Sequence, residues 1–208
     1  MTETQVRRDE EDMITNLKVQ VFPKEQITEE QLKEFIAFFK DGYGDRWVSE
    51  DHFRNVVMKN STELLTVRDG EELVASFNFD NHRITDIAVS PTHRGEGLGV
   101  RLFQEAANHN PEAWITIGVD ADAMLSTVTS KELNFVPVED KDQMEGLFRQ
   151  CNGTRENYQV GIEEVQLPMV MRRLKEKGIE HSDTFLTSYR GKSLHGPAYK
   201  QIIFQNRA

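Results

Sequence analysis

The sequence predicts a mixed α/β fold, and two observations predict it. Stretches of strand length, apolar or alternating, follow one another over residues 63–89 with turn residues between them. From residue 90 onward, runs with apolar residues three and four apart fall between further strand-like runs. Three strands in meander followed by strand–helix alternation give a mixed sheet with helices on its faces.

The elements follow in order. Residues 1–15 are polar and charged and read as a mobile tail, leaving 16–208 as a single domain. Leu17, Val19 and Val21 alternate with polar residues, so Asn16–Phe22 is a strand that Pro23 ends. Thr28-Glu29-Glu30-Gln31 opens a helix with a capping-box pattern. Leu32, Phe35, Ile36 and Phe39 form its apolar stripe, and Gly42 and Gly44 break it. A second helix starts near Ser49. Residues 63–67 and 73–79 are strands about an Asp69-Gly70 turn, and Asp80-Asn81-His82 turns into a third strand ending at Ser90-Pro91. Leu98, Leu102, Phe103 and Ala106 mark a helix face, Trp114–Val119 a strand, Ala121–Leu133 a helix and Phe135–Val138 a short strand. The order so far is β-α-α-β-β-β-α-β-α-β. Residues 141–198 form an extra C-terminal segment, and 199–206 a final strand.

Composition narrows the function. With 208 residues the chain can bury a sizeable core, and its formal charge of -10 argues against a nucleic-acid partner, which needs a basic surface. No apolar run is long enough to span a membrane, and the first residues lack the apolar core of a signal peptide. One cysteine, Cys151, excludes an internal disulfide. These features lead us to expect a cytoplasmic protein. The six histidines show no metal-ligand spacing, so no metal is expected.

The most informative stretch is Arg94-Gly95-Glu96-Gly97-Leu98-Gly99, preceded by a strand ending Val89-Ser90-Pro91 and followed at once by a helix. A tight turn into a helix start leaves several N–H groups pointing outward, an arrangement suited to phosphate. The dinucleotide fingerprint does not fit, because Val100 stands where its third glycine belongs. A Walker loop does not fit, because Lys and Ser do not follow Gly99.

The pattern Arg-x-x-Gly-x-Gly after such a strand resembles the acyl-CoA signature of the GNAT superfamily of N-acyltransferases, and the element order over residues 17–140 resembles that fold. The resemblance implies acetyl-CoA as donor, a small-molecule or peptide amine as acceptor, and direct attack in a ternary complex. It implies that the amides of Arg94, Gly95, Glu96, Gly97, Leu98 and Gly99 line the pyrophosphate. It further implies that the backbone of Ile87, Ala88 and Val89 meets the pantetheine arm, an N–H near Val89 polarising the thioester carbonyl. In that family the region that holds Tyr43 and Trp47 here shapes the acceptor pocket, so the resemblance implies that both contact substrate.

This chain departs from the family's usual acid and base. The tyrosine position five residues before Phe135 holds Ser130, the usual asparagine falls on Ala123 and the usual glutamate on Gly118. Ser130 is the candidate near the leaving sulfur and Asp86, within the acyl-transfer strand, the candidate base. Tyr158, Tyr189 and Tyr199 are open as acids. Residues 141–198 are expected to form part of the acceptor pocket or a homodimer contact. The departures motivate an alternative, a non-catalytic acyl-CoA-binding or sensing module.

Overall fold

A computed structural model describes residues 17–152, 158–165, 167–181, 184–190 and 199–207. The tail expected over 1–15 lies outside them, as do the side chains of Tyr158, Tyr189 and Tyr199. The backbone groups into two units, Met1–Phe79 with Asp86–Leu102 and Asp80–Thr85 with Phe103–Ala208.

In the first unit β1 (Leu17–Pro23) pairs antiparallel with β2 (Glu63–Asp69), from Leu17↔Asp69 to Pro23↔Glu63. β2 pairs antiparallel with β3 (Glu72–Asp80), which neighbours β4 (Arg83–Val89). Asp69 is paired with Glu72, so the two-residue loop of the hairpin is Gly70-Glu71 rather than Asp69-Gly70. Gly70 has φ 57° and Glu71 is not left-handed, which suits a loop whose first residue is glycine.

α1 (Glu29–Tyr43) begins where Thr28 and Gln31 cap each other's backbone amides, the expected capping box. Its buried face is Phe35, Ile36, Phe39 and Gly42. Gly42 does not break the helix. It lies in the last turn because a Cβ there would stand 2.9 Å from the Cβ of Ala88 on β4. Gly44, at φ 54°, ends the helix. α2 starts at Glu50–His52 behind the Ser49 cap and runs through a π-helical stretch, Phe53–Val57, to Met58–Asn60. Phe35, Ile36, Phe39, Phe53, Met58, Leu64, Leu73 and Ala88 form one apolar core, which fixes the end of α1 on β4.

In the second unit β5 (Trp114–Gly118) runs parallel to the start of β4 and antiparallel to β9 (Tyr199–Asn206). β9 also pairs with β6 (Phe135–Pro137) and β8 (Thr184–Arg190), and β8 with β7 (Tyr158–Glu164). α3 (Leu98–His109), α4 (Asp122–Val128), α5 (Lys141–Gln150) and α6 (Pro168–Glu176) are the helices after β4. α4 is shorter than the expected 121–133, with Ala121 at its N-cap. The Thr127 and Thr129 hydroxyls donate to the Ala123 and Leu125 carbonyls, and the Ser130 amide turns back to the Thr127 carbonyl. Such side-chain competition weakens a helix end. Trp114, Val138, Met144, Leu147, Phe148, Cys151 and Ile203 make a core in this unit. The sheet is mixed and the fold is α/β.

Candidate active site

The site of the first unit is built on β4, the loop after it and the last turn of α1. The Ser90 amide donates to the Val74 carbonyl at 2.8 Å, anchoring the end of β4 to β3. Pro91–His93 make a single 3-10 turn, braced by contacts of 2.8 Å between the Ser90 and Thr92 hydroxyls and 2.9 Å from Thr92 to His93 Nδ1.

Gly95 and Gly97 then have φ 88° and 79°, the left-handed region where side-chain-bearing residues are strained. A Cβ on either would meet no atom within 4 Å. These glycines therefore serve the turn and leave an open face, as the close approach of a phosphate requires. The first intrahelical bond of α3 runs from the Arg101 amide to the Gly97 carbonyl at 3.1 Å. The amides of Leu98, Gly99 and Val100 precede it and are not used by the helix, which makes this end electropositive. Leu98 is 4% exposed, so its side chain belongs to the core and its backbone to the loop. The amide of Val100 is not among those that the sequence resemblance assigns to the pyrophosphate. Only the helix start, read residue by residue, identifies its amide.

Arg94 reaches away from the loop. One of its Nη groups donates to the Gly42 carbonyl at 2.7 Å, at the negative end of α1. The loop and the last turn of α1 are thereby tied together, with Gly42 against Ala88 beneath them. Gly42 was read from sequence only as a helix breaker. Its place on the apolar face of α1, among Phe35, Ile36 and Phe39, was the available signal of close packing.

Asp86 has φ 42° in the middle of β4, one of two non-glycine residues in that region among those described. The parallel ladder to β5, Arg83↔Trp114 and Ile84↔Ile115, is finished before it. The Tyr43 phenol donates to Asp86 Oδ1 at 3.3 Å. Burial first, then the negative charge of Asp86 and this hydrogen bond, push the Tyr43 phenol well above its ordinary range. Ala88 is buried and faces the end of α1, while Ile87 and Val89 are half-buried. Tyr43, Asp86, Ala88 and Arg94 are thus gathered about the last turn of α1.

Trp47 packs its ring 5.8 Å from that of Phe53. It lines an open cavity of about 490 Å³ with Ala37, Lys40, Asp41, Gly44 and Asp45. Ser130 belongs to the second unit. It is buried in the turn after α4 rather than on a helix surface, and its hydroxyl donates to the Glu132 carboxylate. That bond, ahead of the other causes, holds the Glu132 carboxyl below its ordinary range. Among the described residues, no group of three or more His, Cys, Asp or Glu side chains is placed to hold a metal, and no helix is long and apolar enough to cross a membrane.

The family model described as an acetyltransferase (GNAT) domain matches residues 10–150. No curated protein matches significantly. Among solved structures, the ribosomal-protein-S18-alanine N-acetyltransferase from Escherichia coli is 12% identical with a TM-score of 0.47, covering 91% of this chain and 93% of that one. An acyl-CoA N-acyltransferase from Pseudomonas aeruginosa is 14% identical with a TM-score of 0.47, covering 60% of this chain and 89% of that one. A GNAT family acetyltransferase from Elizabethkingia anophelis with acetyl-CoA bound is 10% identical with a TM-score of 0.37, covering 91% of this chain and 96% of that one.

Proposed function

We propose, from the premise that this chain belongs to the GNAT family of acetyltransferases, that it moves an acetyl group from acetyl-CoA to a primary amine by direct attack in a ternary complex. The observation that carries this reading is the loop at Gly95–Gly97. Two left-handed glycines open one face of the turn, and the unused amides of α3 stand at its helix end. Chemically this is a cradle for a pyrophosphate. The amides from Arg94 to Gly99, with that of Val100, bind the phosphates. Arg94 itself ties the cradle to α1 and supports its shape rather than acting only as a phosphate ligand.

The backbone of Ile87, Ala88 and Val89 receives the pantetheine arm, and an amide near Val89 polarises the thioester carbonyl. Asp86 takes a proton from the ammonium of the acceptor, directly or through water. The freed amine nitrogen attacks the carbonyl carbon, so the N–C bond forms. Collapse of the adduct breaks the C–S bond, and the thiolate takes the proton that the adduct nitrogen sheds. The Asp86 proton returns to solvent. The one hydroxyl proton of Ser130 is committed to Glu132, and a serine hydroxyl is a weak acid, so no proton is drawn from it. Tyr43 and Trp47 border the acceptor. The protein works in the cytoplasm.

The test is steady thiol release from acetyl-CoA across a panel of amines, with the acetylated amine identified by mass. Continuous release with matching product is expected. Tight CoA binding with no turnover across the panel would overturn the transferase reading in favour of an acyl-CoA-binding module.

A further inference from the structure

The last turn of α1 is pinned against β4 and the loop that follows it. Gly42 presses on Ala88, where an added Cβ would come within 2.9 Å of the Ala88 Cβ. The Gly42 carbonyl accepts from Arg94 at 2.7 Å. The Tyr43 ring packs 5.8 Å from that of Phe39, which is fully buried. Helix register and ring packing therefore leave the phenol little freedom in its aim, and it is aimed at Asp86 Oδ1. Asp86 in turn sits at φ 42°, a backbone state that persists only where the surroundings impose it and that recurs at active sites. A rigid donor on one element meets a strained carboxylate on the strand proposed to present the thioester.

We propose that Tyr43 is a positioning residue, its phenol orienting the Asp86 carboxylate and keeping it ionised to receive the proton of the incoming ammonium. This rests on the N-acetyltransferase reading above and gives Tyr43 a part distinct from bordering the acceptor. The separation of 3.3 Å is long for an O–H···O bond. Such bonds are often loose before substrate arrives and shorten in the reacting complex. Burial keeps the phenol protonated, so it is a permanent donor and does not compete with Asp86 for the substrate proton. Arg46, on the turn after α1, acts on Tyr43 through its charge, and Arg94 on the loop donates to the Gly42 carbonyl. Both are retained in the variant used to test the idea.

Tyr43→Phe keeps the ring and removes only the hydroxyl. The midpoint of the Asp86 carboxyl is followed by carbon NMR in the wild type and in Tyr43→Phe. In parallel, kcat and KM are measured against pH with acetyl-CoA and a diaminobutane, free lysine or an alanine-led peptide. The expected result is an upward shift of the midpoint, with the acid limb of kcat moving with it. kcat should fall roughly tenfold and the KM for the amine should hardly change. An unmoved midpoint overturns the proposal. So does a rise in KM with kcat intact, which would make Tyr43 a wall of the acceptor pocket. Absence of turnover in the wild type with every amine sinks the transferase reading itself, whereas wild-type turnover with an unmoved midpoint sinks the Tyr43 role alone.

Discussion

Asp86 combines a charge with a left-handed backbone in the middle of a strand, and the two can be separated by mutation. Asn tolerates the same backbone region and has nearly the same shape. Asp86→Asn is therefore expected to keep the melting temperature within about 2 °C, while turnover falls about a hundredfold or more. Circular dichroism melts beside initial rates make that comparison, and an unchanged rate would remove Asp86 as the base. Tyr43 gives a second, independent signature at alkaline pH. Its folded-state pKa is raised, so the folded protein holds the phenolic proton more tightly than the unfolded chain does. The associated stability is fully present below the unfolded tyrosine value of about 10 and is lost as pH rises beyond it. Denaturant melts between about pH 9 and 11 should show a smaller loss of stability in Tyr43→Phe than in the wild type.

At the level of elements, the contact between α1 and β4 decides where both Tyr43 and Arg94 meet their partners. Gly42→Ala would gain helix propensity of about 1 kcal/mol. It would also bring two Cβ atoms to 2.9 Å, and neither can rotate away because both are fixed to backbone. The helix must lift from the strand, with an expected net destabilisation of about 1–3 kcal/mol by urea titration. The double variant Gly42→Ala with Ala88→Gly should recover part of that loss, since it restores the missing space. No recovery would mean that the helix end is set by something other than this approach. The loop after β4 needs its own conformation in the same way, because Gly95 and Gly97 are left-handed and α3 begins only after them.

For the whole molecule, a ligand that binds only the folded state raises its stability by mass action. Acetyl-CoA at a hundred times its dissociation constant should add about 2.7 kcal/mol, read by scanning calorimetry. Gly97→Val, which puts a branched side chain at φ 79° on the open face, should abolish that gain. An equal gain in the variant would place the donor elsewhere. Much of this architecture was legible in the residues. The alternation around Val19, the Thr28 capping box, the meander and the glycine spacing after Ser90 each reflect a local rule of backbone geometry, and local rules leave a local trace. The α4 boundary was misjudged because Thr127 and Thr129 turn their hydroxyls onto the helix itself, which an apolar pattern does not record. β8 is not among the elements expected from the sequence, and β9 is expected as a strand but without its partners β5, β6 and β8. Such pairings join residues far apart in the chain, and their hydrogen bonds carry no side-chain code. The mixed fold and the phosphate-shaped turn follow from local patterns of residues alone. Tertiary structure alone decided that Arg94 turns to Gly42, that Tyr43 reaches Asp86 and that Gly42 exists for Ala88, because each depends on how closely α1 settles onto β4.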